Sequence, residues 1–383
     1  MGSRLVPPVT TPPPELAALR TQVRDFLREQ IAQGVFTPGV DAWLTRWDED
    51  FTRALAARGW VGMTIPTEYG GHGRTFLHRF VVTEELLAVG APVAAHWIAD
   101  RQIAPTLLRF GTEAQKRRFL PAIARGECYF GIGMSEPDSG SDLASVRTRA
   151  VRVDGGWRLT GTKVWTSGAH RAHAFFALAR SAPLDTADRH AGLSQFIVDL
   201  RGPGVTIRPI TSMNGAHHFN EVFLDDVLVP DDMVLGEVGA GWRQVNSELG
   251  YERSGPERFL STVPLLTETV AGVRQGLLPR HTDTGRHVAR LAGLHQMSLA
   301  VSGALERGEP ADTAAALVKL LGTTTEGDIA EYADQLSGDR AELSERFTDL
   351  LAAGLLQRPG FTLRGGTNEI LRGVVARGLG MRR

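Results

Sequence analysis

The sequence predicts an α+β protein of several domains, helical at both ends and β in the middle. Length is the first reason: 383 residues exceed the roughly 150 of an ordinary domain, so two or three cores can form. Period is the second. Up to about residue 125, and again from Gly241, apolar residues recur at three- and four-residue steps, the mark of amphipathic helices. Between Tyr129 and about residue 236, β-branched and aromatic residues alternate with polar ones and glycines mark the turns. The boundaries expected from these shifts are a helical domain over 1–128, a β domain over 129–236 and a helical bundle over 237–383.

The Pro-rich residues 1–14 predict a flexible arm, because proline fixes φ and removes a donor without building core. Leu16, Leu19, Val23, Phe26, Leu27 and Ile31 then share one face of a helix. A second helix is expected over 48–57, a loop over 59–73, and helices over 77–89 and 93–110. Thr112 and Gln115 have the spacing of a capping box ahead of a helix over 117–125. In the middle segment, 151–159 reads as a hairpin, with further strands over 173–180, 194–200, 204–210 and 220–230. Strands so close, without helical crossovers, predict a small antiparallel barrel or sandwich. The last segment predicts helices over 242–258, 260–277, 286–305, 311–321, 328–335 and 340–355, and one after Thr367.

Composition removes several functions. Lys and Arg number 42 against 43 Asp and Glu, so no overall basic field exists to hold nucleic acid or an anionic membrane. A single cysteine, Cys128, fits a reducing cytoplasm and makes no intrachain disulfide. No apolar run approaches 18 residues and the start has no apolar leader, so neither a membrane span nor export is expected. The 11 histidines, His170, His173 and the His217–His218 pair among them, show no metal-ligand spacing, and no metal is predicted. Nucleophile-elbow, P-loop and strand-GxGxxG-helix patterns are absent too.

Three islands remain. Gly131-Ile132-Gly133-Met134-Ser135-Glu136-Pro137-Asp138-Ser139-Gly140-Ser141-Asp142 brings small residues and hydroxyls to a turn, where backbone can approach a planar ligand. A plain Gly/Ser/Pro loop fits the same composition. Lys163-Val164-Trp165-Thr166-Ser167-Gly168 sets an indole beside two hydroxyls at a strand end, suited to stacking on a ring or to packing in a core. Arg364-Gly365-Gly366-Thr367-Asn368-Glu369-Ile370 is a glycine turn opening a helix, whose N–H groups suit an oxyanion or simply start the helix.

In this order, and together with GTKVWTSGA, NEVFLDDVLVP, GAGW and GGTNEILRGVVARGLG, the islands resemble the acyl-CoA dehydrogenase family from about Glu15 to the C-terminus. The resemblance implies FAD, an N-terminal helical domain, a middle β-barrel domain and a C-terminal four-helix bundle. It implies α,β-desaturation of an acyl-CoA or acyl-carrier-protein thioester, with electrons leaving to an electron-transfer flavoprotein or similar acceptor. A homotetramer or homodimer is implied, or a heteromer. For the cofactor it implies Ile132, Met134, Ser135, Gly140, Ser141, Trp165, Ser167, Thr367 and Glu369. Ser141, Tyr251 and Arg253 are implied to meet the substrate, and the Gly365 N–H to hold the thioester carbonyl.

The chain departs from the commonest family pattern at two places. Many members carry the catalytic Glu where Gly365 stands; the Gly250-Tyr251-Glu252-Arg253-Ser254 segment matches members with the base on the first helix of the C-terminal domain, so Glu252 is the expected base. The family's Arg-x-x-Phe-Gly element, and its Gln with a Gly-Gly-x-Gly run, are missing from 276–291 and 350–366. Two other readings stand beside the dehydrogenase: a flavin oxidase or monooxygenase on the same fold, and a non-catalytic or half-site subunit that pairs with a catalytic homologue.

Overall fold

The computed structural model describes residues 5, 7–253, 255–338 and 343–381, with only the backbone of 249–252. Helices α1 (Glu15–Ala32), α2 (Ala42–Thr45), α3 (Glu49–Ala57), α4 (Phe76–Ala88), α5 (Ala94–Ile98), α6 (Ala104–Phe110) and α7 (Glu113–Ala124) come first. Strands β1 (Phe130–Gly133), β2 (Arg149–Val153), β3 (Gly156–Lys163), β4 (Ala174–Arg180), β5 (Leu193–Asp199), β6 (Val205–Thr211) and β7 (His217–Pro230) follow. Helices α8 (Gly241–Glu252), α9 (Val263–Arg274), α10 (Thr282–Glu306), α11 (Asp312–Ser337), α12 (Glu345–Phe361) and α13 (Asn368–Gly378) close the chain. No described helix is long and apolar enough to cross a membrane.

The helical, β, helical order holds, and the chain gathers into two compact units. One draws on Met1–Arg46, Thr75–Val93 and Glu252–Arg383. In it α9, α10, α11 and α12 form the helical bundle, while α1 and α10 pack on α4 and α13 packs on α11. Leu265, Leu278, Ala330, Phe347, Leu350 and Phe361 meet in its core. The other draws on Trp47–Arg74 and Ala94–Tyr251. Its curled seven-stranded sheet packs Phe130, Phe175, Phe176 and Phe196 with Phe119 and Leu120 of α7. The Thr112–Gln115 capping box is formed in full, each side chain bonding the other's backbone.

Three expectations change. The strands are not all antiparallel: β1 runs parallel to β4, Phe130 opposite Ala174, and β2 touches β4 in parallel at Arg149 and Arg180. The remaining ladders are antiparallel. Strand direction leaves no trace in alternation, although the unbroken buried run Ala174–Ala179 is what a strand covered on both faces looks like. Helix α11 is continuous where a break was expected at Gly322-Thr323-Thr324-Thr325. Burial overrides propensity here. Gly322 lies against the Arg258 carbonyl, and the Thr323 and Thr325 hydroxyls donate back to the Lys319 and Leu321 carbonyls at 2.8 Å each. Helix α8 ends at Glu252 rather than 258, and 340, where a helix was expected to begin, lies outside the described residues.

Candidate functional site

The first island leaves β1 at Gly133, where the Phe175 ring would collide with any Cβ. Ile132 packs on the main core, and Met134 packs on Val146, Leu178, Leu193 and Val245. Their side chains are therefore committed inward, and backbone faces the turn. Glu136 is buried and fixes it: its carboxylate accepts from the Arg147 N–H at 2.6 Å, the Thr148 N–H at 2.9 Å and the Lys163 ammonium at 2.8 Å. Burial pushes the carboxyl up, but Lys163 and these hydrogen bonds outweigh it and hold Glu136 below its ordinary range. Burial pushes Lys163 down to about 8, which leaves it protonated at neutral pH. Gly140 and Ser141 stand exposed at the tip, and Asp142 beside them pairs with Arg189 at 2.7 Å.

The second island is joined to the first. Lys163 also donates to the Met134 carbonyl at 3.1 Å, and the Val164 N–H to the Ser135 carbonyl at 2.9 Å. The turn beyond is held on β7: the Thr166 N–H donates to Asn220 O at 3.0 Å, the Gly168 N–H to His218 O at 2.8 Å, and Asn220 Nδ2 to Thr166 O at 2.9 Å. The intervening amides of Trp165 and Ser167 bond no described residue. Trp165 takes a left-handed φ of 61°, a conformation costing roughly 1–2 kcal/mol outside glycine. The residue is 57% exposed, its ring edge-on to Phe219 with centroids 5.6 Å apart. An open indole flanked by free N–H donors and a hydroxyl suits a planar heteroaromatic group with carbonyl edges.

The third island belongs to the helical unit. Gly365 and Gly366 have φ of 69° and 89°, which glycine adopts without a side-chain penalty. Thr367 caps α13, accepting from the Ile370 N–H at 3.4 Å. Arg253 Nε donates to the Gly365 carbonyl at 3.2 Å, so the residue following Glu252 is tethered to the turn. Lys319 donates to the Gly366 carbonyl at 2.8 Å. Arg364 forms a two-pronged pair with the fully buried Asp41, at 2.5 and 2.6 Å, and lies over the Trp43 ring. Tyr251 and Glu252 themselves have side chains outside the described residues. Glu369 is exposed at the start of α13.

Below this turn lies Glu326, fully buried and accepting from the Ser261 N–H at 2.8 Å. Burial pushes it up to about 7, more than Arg364 and Ser261 pull it down. Its folded pKa exceeds the ordinary 4.5, so the stability linked to it is complete below 4.5 and is lost as pH rises through 7. Glu326→Gln is expected to be the more stable protein, by about 1 kcal/mol at pH 5 and about 3 kcal/mol at pH 8. Denaturation midpoints across that range measure it; a difference independent of pH would contradict the buried-acid account.

The structure thus brings Met134, Ser135, Trp165 and Ser167 together within the β unit, and Arg253, Gly365 and Thr367 within the helical unit. Sequence reasoning passed over Glu136, Asn220, Lys319 and the Asp41–Arg364 pair. Lys319 carried one signal, a cation inside the apolar pattern of a core helix. His170 and His217 stack at 4.1 Å and share the Asn220 side-chain oxygen Oδ1, and no metal-holding cluster occurs among the described residues.

Family models for the acyl-CoA dehydrogenase N-terminal, middle and C-terminal domains match residues 13–127, 131–227 and 281–380. Among Mycobacterium tuberculosis proteins, acyl-CoA dehydrogenase FadE34 is 39% identical over 84% of this chain and 45% of its own length. Acyl-CoA dehydrogenase IpdE1 is 39% identical over 62% of this chain and 63% of its own. The chain therefore spans less than two thirds of either relative. Acyl-CoA dehydrogenase FadE29 is 33% identical over 85% of this chain and 86% of its own length. Of solved structures, the Tcur3481-Tcur3483 steroid ACAD is 30% identical with a TM-score of 0.85, over 97% of this chain and 99% of that one. The ChsE4-ChsE5 complex from Mycobacterium tuberculosis is 26% identical with a TM-score of 0.81, over 97% and 99%. With all three domain models matched in order along its length, this chain belongs to the acyl-CoA dehydrogenase family.

Proposed function

We propose that the protein binds FAD and desaturates an acyl thioester between its α and β carbons, with Glu252 as the base. The observation that carries the base assignment is the Arg253–Gly365 hydrogen bond. It ties the residue next to Glu252 to a glycine turn that has no carboxylate of its own. The exposed Trp165 ring, with the free amides of Trp165 and Ser167, supports the flavin assignment. FAD supplies the acceptor for the hydride that leaves the β carbon.

The chain's own residues do the rest. Glu252 takes the α-proton as the C–H electron pair becomes the new double bond. The Gly365 N–H steadies the thioester oxygen as negative charge gathers there, because a thioester α-proton is too weakly acidic to leave otherwise. The Met134–Ser135 backbone, Trp165 and Ser167 would hold the ring system; Gly140 and Ser141 of the β unit, and Thr367 and Glu369 of the helical unit, would serve its phosphates or the thioester's. The partner this chemistry calls for is an electron-transfer flavoprotein or similar acceptor. Purified protein should be yellow, and an acyl-CoA panel under anaerobic conditions should bleach it. Colourless protein that stays colourless with added FAD would overturn the assignment.

A second reading is a half-site in a two-chain assembly. It is favoured by the missing Arg-x-x-Phe-Gly element and by the paired names of the steroid ACAD and ChsE4-ChsE5 structures. One flavin per chain in a homo-oligomer excludes it; flavin retained only on mixing with a homologous chain establishes it.

A further inference from the structure

We propose that Lys319 is a positioning residue for the thioester site, holding the glycine turn and strengthening its amides as donors to the enolate oxygen; the inference rests on the thioester reading above. Lys319 is fully buried in α11. Its ammonium donates to Thr362 O at 3.2 Å, Gly366 O at 2.8 Å and Asn368 Oδ1 at 3.0 Å. Capping the end of α12 would need only the Thr362 bond. The other two reach past the helix end and grip the turn and the first residue of α13.

The peptide arithmetic explains what that grip does. The Gly366 carbonyl shares its peptide with the Thr367 N–H, and the Gly365 carbonyl shares its peptide with the Gly366 N–H. Lys319 hydrogen-bonds the first carbonyl and Arg253 the second, so each cation draws electron density from an amide on the far side. The N–H groups of Gly365, Gly366 and Thr367 bond no described residue. Both glycines have left-handed φ, and these successive amides lead into the start of α13, backed by the buried Lys319 ammonium and by Arg253. Donors so placed favour the enolate over the neutral thioester, because only the enolate carries charge for the field to act on.

The test uses the flavin-loaded protein and acetoacetyl-CoA, whose α carbon ionises to an enolate near neutral pH. Bound enolate is read by its long-wavelength absorbance against flavin, and neutral-form binding by titration at low pH. Lys319→Met should weaken the enolate by about tenfold or more relative to the neutral probe. Lys319→Arg should recover part of that loss. Asn368→Asp keeps the shape, neutralises the ammonium where it stands and should weaken the enolate likewise, so it decides the matter if Lys319→Met does not fold. Folded variants whose enolate-to-neutral preference matches the wild type overturn the proposal, as does an equal loss for both forms, the mark of a merely structural lysine. Wild-type protein that binds the probe without any enolate band defeats the thioester reading instead.

Discussion

Glu252→Gln should lower the rate of anaerobic flavin bleaching by about 10²–10⁴-fold while changing thioester affinity by less than about threefold. Glutamine keeps the size and the hydrogen-bonding edge of the side chain and removes only its ability to take a proton. The loss must therefore appear in the chemical step. Gly365 offers no carboxylate in its stead. Rapid-mixing bleaching with excess substrate measures the step directly. A Glu252→Gln protein that bleaches at the wild-type rate would move the base elsewhere, and flavin content equal to wild type would show that the variant is otherwise intact.

How much of this was legible beforehand depends on the range of the interaction concerned. The Thr112–Gln115 box, the Asp154–Gly155 turn between β2 and β3 and the Thr367 cap are contacts within a few residues, and each is formed where the sequence places it. The glycine turn was visible because positive φ demands a residue type. What holds that turn was not. Arg253, Lys319 and Asp41 reach it or its neighbour Arg364 from 112, 47 and 323 residues away, and no local pattern encodes such a pairing. The break expected in α11 fell at Gly322, Thr323 and Thr325, whose burial leaves no local mark in the sequence. The parallel β1–β4 ladder escaped because side-chain period is the same in both strand directions.

The Glu136–Lys163 pair turns this distance argument into a measurement. It joins residues 27 apart, one in each of the two islands assigned to the flavin, and the lysine is fully buried. Lys163→Met should destabilise the protein by about 3–5 kcal/mol, because Glu136 keeps its charge and loses its ammonium partner, leaving the Arg147 and Thr148 amides and the longer-range field of Arg180. Glu136→Gln should cost a comparable amount by stranding the ammonium. The double variant should lose less than the sum of the singles by about 2 kcal/mol, since neither buried charge is then left alone. Flavin-loaded protein titrated with urea gives all three midpoints. Flavin retention on dilution gives a second axis: Lys163 also holds the Met134 carbonyl and precedes Val164, which bonds Ser135, so freeing it unties both islands at once. Additive stability losses would mean that each charge is satisfied without the other. Flavin retention unchanged in Lys163→Met would mean that the islands keep their relation through the Val164–Ser135 bond alone.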